Sequence, residues 1–207
     1  MLFKHVCAAI WFAFACAAPL IACADDLENA LKDLTAEQRA FTRIARLPAN
    51  VTARMTVSAW VDRADATYAP GDGVTVFVKA DRDAFITVLD IGTSGRVNVM
   101  FPNVAQPDSR VDAHRVLRIG SSSTDARLRV HGPAGLDVIT VIASAHPLDL
   151  VALAESDAVG PFRVLHASSS AVAARILASL SRAHDSVASA TVLLRISTQS
   201  ARTPQRR

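Results

Sequence analysis

The sequence predicts a mainly β fold, an antiparallel β-sandwich of immunoglobulin-like architecture with an N-terminal and a C-terminal helix. Three observations carry that expectation. Val74, Val76 and Val78 alternate with Thr75, Phe77 and Lys79, the period-two pattern of a strand. Two more strand-like runs follow, Phe85 to Ile91 and Val97 to Phe101, separated by the turn signatures Asp81-Arg82-Asp83 and Gly92-Thr93-Ser94-Gly95. Further along, Asp137 to Ser144 is almost continuously apolar and β-branched, as a central strand buried on both faces should be.

The chain has 207 residues, 51% of them hydrophobic, enough for one domain with a sizeable core plus short additions. Residues 1–24 read as a secretory signal: Lys4 and His5 form a short polar start, and Val6 to Leu20 is an uncharged apolar run too short to span a membrane. Ala22-Cys23-Ala24 before Asp25-Asp26 fits an ordinary signal peptidase, whereas Leu20-Ile21-Ala22-Cys23 resembles a bacterial lipobox, with Cys23 as the lipid attachment. Both readings stay open at this stage, and both place the domain in the periplasm or on the envelope. Cys7, Cys16 and Cys23 all fall in or at the end of this leader, so the mature domain has no disulfide and holds together by its core.

The net charge of +3 is small and shows no Lys/Arg run except Arg206-Arg207. A nucleic-acid footprint needs clustered cations, so that class of partner is not expected.

Residues 25–48 read as an amphipathic helix. Leu27, Leu31, Leu34, Phe41 and Ile44 share a stripe, Asp25, Asp26 and Glu28 suit the first turn, and Pro48 stops it. Thr35-Ala36-Glu37-Gln38 looks like a capping box, so the helix is expected to restart there. The stripe is too short for a coiled coil.

Residues 52–197 are the expected sandwich domain. Arg54 to Val61 alternates and opens it; Pro102 ends the Val97, Val99, Phe101 strand because it has no N–H for a ladder. Arg115 to Ile119 and Ala126 to Val130 are short strands, and His131 to Gly135 is a turn by composition. Pro147 to Ser156 has no clear period and reads as loop or short helix, followed by a short extended piece over Phe162 to Leu165. Ser168 to Ala183 is helical, with Val172, Ile176 and Leu180 on one side and serines as natural N-caps. Val187 to Ser197 returns to strand alternation, and residues 198–207 form a polar tail expected to be disordered.

Several motifs then coincide. Tyr68-x-Pro70-Gly71-Asp72, Ala80-Asp81-Arg82-Asp83-Ala84-Phe85, Gly95-Arg96-Val97-x-Val99-Met100-Phe101-Pro102-Asn103, Gly132-Pro133-x-Gly135-x-Asp137 and Ile142-Ala143-Ser144 together resemble the bacterial domain-of-unknown-function family 4384, over about residues 68–147. The resemblance implies a compact β-rich domain of secreted, lipid-anchored and multidomain envelope or signalling proteins, and it implies no activity. Two positions depart from the pattern. Phe85 stands where tyrosine is common, and Gly120 stands where proline is expected.

Candidate sites are few. Asp81, Asp83 and Asp90 could form a calcium cluster, but the glycine and final glutamate of an EF-hand loop are missing, and aspartates at turns bond their own backbone. His131, His146 and His166 could join Asp137, Asp149 and a serine in a nucleophilic constellation, which only geometry can establish. There is no Gly-x-Ser-x-Gly elbow, no zinc spacing and no phosphate loop. No catalytic, cofactor or metal residue is therefore assigned. The expected role is a non-catalytic interaction or accessory module of the envelope, with an unidentified envelope protein as partner and membrane contact only through a lipid at Cys23. The alternative is a small-ligand-binding or hydrolytic domain using polar loops around His131 and His146.

Overall fold

In the computed structural model, residues 32–45, 55–120, 127–149, 154–183 and 187–198 are described. The leader with Cys23, the first part of the expected N-terminal helix, its stop at Pro48 and the tail beyond residue 198 lie outside them.

The chain is mainly β, built on several sheets that do not close into a barrel. In order, the elements are α1 (Ala36–Ala45), β1 (Val57–Val61), β2 (Thr67–Tyr68), β3 (Gly73–Val74), β4 (Val76–Ala80), β5 (Ala84–Ile91), β6 (Val97–Phe101), β7 (Arg110–Val111), β8 (Val116–Ile119), β9 (Leu128–Arg129), β10 (Gly135–Ser144), β11 (Ser156–Val159), β12 (Phe162–Leu165), α2 (Ser169–Ala183) and β13 (Val187–Ile196). The large sheet runs β11-β12-β6-β5-β10-β13-β2, with β7 also on β5. The small sheet is β1-β4-β8, and β3-β9 is a two-residue ribbon. Pairing is antiparallel except between β13 and β2.

Each face of the large sheet has its own cover, because alternate residues of a strand point to opposite sides. Ile86, Val88, Ile139, Val141, Leu194 and Ile196 pack against Val76, Val78 and Ile119 of the small sheet. Leu89, Ile91, Val97, Val99 and Ile142 pack against Phe41 and Ile44 of α1 and Val172, Ile176 and Leu180 of α2. β10 is therefore buried on both sides, as its continuous apolar run predicts.

The expected capping box is present. Thr35 N–H donates to Gln38 Oε1 at 2.9 Å, and Gln38 N–H donates to Thr35 Oγ1 at 3.3 Å. Gln38 is wholly buried, and its amide nitrogen donates to the Ile91 and Leu136 carbonyls, which fastens α1 to the β5–β10 seam.

Three local expectations change. The second helix is not C-terminal, since α2 returns the chain to β13, which pairs along the whole of β10. Phe101 does not share a face with Val97 and Val99. A register shift sets Val88 opposite Phe101 but Leu89 opposite Val99, so Met100 and Phe101 both turn toward the small sheet. A β-bulge leaves one extra residue on its strand, and alternation breaks there. Finally, Ser156 is not in a loop or helix but begins β11, an edge strand exposed throughout, whose polar residues give no burial period.

Candidate functional site

A cavity of about 470 Å³ opens on the small-sheet side of the large sheet, at the end that the small sheet leaves uncovered. Its apolar floor includes Met100, Ile139 and Leu194. One wall is the segment from Arg127 to His131 around β9, and the other is the β11–β12 hairpin from Val159 to Val164.

Two aspartates lie in this floor because of strand parity. Asp90 follows Ile86 and Val88 on the same face of β5, and Asp137 precedes Ile139 on the same face of β10. Asp90 stands opposite Ile139, so the two carboxylates are diagonal neighbours across adjacent strands. Asn98, in register with Asp90 on β6, donates from its amide to Asp90 Oδ2 at 3.0 Å. Asp137 accepts the Thr93 N–H and lies against Gly92, where an added Cβ would sit 3.3 Å from its Oδ1. Gly135, at φ +153°, holds the start of β10 so close to Thr93 that any Cβ would collide with its methyl group.

The surroundings shift both groups upward. Burial pushes the Asp90 carboxyl up to about 6, with the Asn98 hydrogen bond opposing. Burial and then the neighbouring Asp90 charge push Asp137 up to about 7, with the Thr93 hydrogen bond opposing. Both side chains keep partial access to the cavity. Among the described residues neither carboxylate has an ion-pair partner. The arginines around them, Arg96, Arg127 and Arg129, are exposed on the walls and mouth, as is His131, and Arg129 donates to the Gly71 carbonyl at 3.0 Å.

The sequence-predicted groups are dispersed. His131 and Asp137 reach the cavity. His146 does not: it follows the far end of β10, whose last residue Ser144 is about 17 Å along the strand from Ile139 in the floor at ~3.3 Å per residue. His166 instead faces Asp157 at 2.8 Å on the exposed hairpin. Asp149 follows His146 beyond the end of β10. The calcium cluster also comes apart. Asp81 Oδ1 accepts Thr56 N–H at 2.7 Å, Asp83 Oδ1 accepts Ala113 N–H at 2.9 Å, and Asp90 lies at the other end of β5. Among the described residues no group of three His, Cys, Asp or Glu side chains could hold a metal. No sequence pattern points to Asn98, Arg127 or Arg129. The available signal was an aspartate of inward parity within the Phe85 to Ile91 run.

A second exposed feature lies on the outer face of the small sheet. Trp60, Phe77 and Arg118 stand in register across β1, β4 and β8. The two rings stack at 5.5 Å, and the Arg118 guanidinium lies 5.9 Å from the Phe77 centroid.

These features define a β-rich domain with a cavity whose apolar floor carries two aspartates. Residues 67–147, which supply β2 to β10, match the model of the family described as Domain of unknown function (DUF4384). Arg96 and Asp137, two residues that carry the motif resemblance, line the cavity. Neither the curated proteins nor the solved structures contain a match to the chain.

Proposed function

We propose that this is an exported protein of the bacterial envelope, periplasmic or tethered by lipid at Cys23, whose domain is a non-catalytic binding and accessory module. On this proposal the two facing sheets form an immunoglobulin-like sandwich, and the cavity is its binding site. The observation that carries it is the concave site itself, with an apolar floor and convergent polar groups whose protonation is shifted, which is the usual anatomy of a small-molecule site. Binding is favoured over catalysis because, among the described residues, no hydroxyl or thiol in the cavity is hydrogen-bonded to a base.

The test is an amide-resolved NMR screen of the domain against mixtures of small polar compounds. Binders should shift the Asp90, Asn98 and Asp137 amides, and Val164→Phe, which fills the cavity, should abolish the response. Turnover of any binder, or shifts confined to other surfaces, would overturn the proposal.

A second reading, docking of an envelope protein, is favoured by the Trp60, Phe77 and Arg118 row, since interface hot spots are rich in tryptophan and arginine. Crosslinking in intact envelopes checks it: a partner captured by the native domain should be lost with Trp60→Ala and kept with Val164→Phe.

A further inference from the structure

The charges around the cavity are sorted by depth. The carboxylates of Asp90 and Asp137 are in the floor, while Arg96, Arg127 and Arg129 are exposed at its sides and mouth. Elsewhere in the fold, aspartates and arginines of the same type neutralise one another, as Arg63 and Asp72 do at 2.7 Å and Arg110 and Asp83 at 3.2 Å. Here, among the described residues, they stand around one cavity without an ion pair.

We propose that the cavity holds a small zwitterion, an amino acid or short peptide, with its ammonium group on Asp90 and Asp137 and its anionic end toward Arg96, Arg127 and Arg129. The assignment rests on the cavity being a binding site and adds the class of ligand.

Four physical points favour that class. An ammonium group supplies the counter-charge that two adjacent half-buried carboxylates lack, and it donates three charge-assisted hydrogen bonds. A divalent metal fits worse, because the described residues offer no third anionic or imidazole ligand. A neutral polyol would leave the like-charged pair uncompensated in a partly desolvated floor, which is costly. The apolar floor of Met100, Ile139 and Leu194 suits the short aliphatic body of the same ligand.

The experiment titrates four probes against the domain at mildly alkaline pH: alanyl-alanine, butylamine, butyrate and glucose. Alanyl-alanine should shift the Asp90, Asn98 and Asp137 amides, butylamine should do so more weakly, and the other two should not. Asp137→Asn, close to isosteric, should weaken alanyl-alanine about tenfold, the effect of losing roughly one charge-assisted contact. Arg96→Ala, at an exposed position, should weaken alanyl-alanine and leave butylamine unchanged. An equal response to butyrate or glucose, or an Asp137→Asn variant that binds as the native domain does, would overturn the assignment. If compounds of another class occupy the cavity and these probes do not, the ligand class fails and the binding module stands. If no small molecule enters, both fail.

Discussion

Two groups of aspartates, on two regions of the same β framework, are treated in opposite ways. Asp72, Asp81 and Asp83 lie at turns, where backbone N–H groups point at their carboxylates, and those hydrogen bonds hold each of them below the ordinary carboxylate value. Asp90 and Asp137 lie within strands under the cavity. There burial dominates, and their carboxyls are pushed up to about 6 and about 7. The residue type is the same, and burial decides the outcome: Asp137 accepts a backbone N–H as the turn aspartates do, yet its desolvation outweighs that bond. Turn aspartates stabilise the fold as anions; cavity aspartates are tolerated as anions at a cost, and a fold keeps such groups where something other than stability is served.

The largest effect should come from the turn region, at Asp62. The buried Tyr68 hydroxyl donates to its Oδ1 at 2.9 Å, and Thr75 N–H donates to the same atom at 2.8 Å. Burial, followed by the Asp62 hydrogen bond, also pushes the Tyr68 hydroxyl far above its ordinary range. Asp62→Ala leaves two donors short of an acceptor and should lower stability by about 2 kcal/mol in urea unfolding. Tyr68→Phe with Asp62→Ala should cost less than the two changes summed, because both remove one interaction. Strict additivity would mean that the aspartate is not what satisfies the tyrosine.

A smaller effect with opposite sign should appear at the cavity. Asp90 and Asp137 are raised above their unfolded value of about 4, so the native state binds more protons than the unfolded state between that pH and about 7. Their contribution is therefore fully present at low pH and lost as pH rises through 6 and 7. The turn aspartates act in reverse, and their stabilisation is lost as pH falls below about 4. Stability should peak between these limits. Asp137→Asn should flatten the decline on the alkaline side and leave the acid limb unchanged. The groups facing the pair, Asn98 and Arg96 from β6 and its turn and Arg129 and His131 from the β9 segment, are unaltered in that variant. A variant whose alkaline limb parallels the native one would show that the cavity carboxylates are as well solvated as the turn ones.

The framework was legible because period-two burial is written directly in residue type. Val76 and Val78, the doubly apolar β10 run and the Thr35–Gln38 cap all appear where the pattern puts them. What failed had no local signature. The β6 bulge turns Phe101 over without any glycine to announce it, and β11 lies at an edge with all four of its residues exposed. The cavity was only half legible. Asp90 and Asp137 were both noticed, but in different constellations, one with the turn aspartates and one with distant histidines. Their neighbourhood depends on β5 pairing with β10, a contact between positions 90 and 139 that no local pattern encodes. Of the arginines around it, Arg129 comes from a ribbon whose partner lies more than fifty residues back in the chain.

The smallest expected effect tests whether turn aspartates are held by the backbone, as the comparison requires, or by ion pairs. Asp83 offers both partners: its Oδ1 accepts Ala113 N–H at 2.9 Å, and its Oδ2 faces Arg110 Nη2 at 3.2 Å. Both side chains of that ion pair are more than half exposed, at 59% for Arg110 and 55% for Asp83, so solvent and salt screen their attraction. Arg110→Ala should therefore leave the urea midpoint within error of the native value at every salt concentration. Asp83→Ala should lower it measurably, and Asp83→Asn, which keeps an oxygen for Ala113, should recover most of the loss. If Arg110→Ala cost as much as Asp83→Ala and high salt erased both, a counter-charge would be what distinguishes the turns. The cavity aspartates would then differ from them in lacking an arginine as well as in their burial.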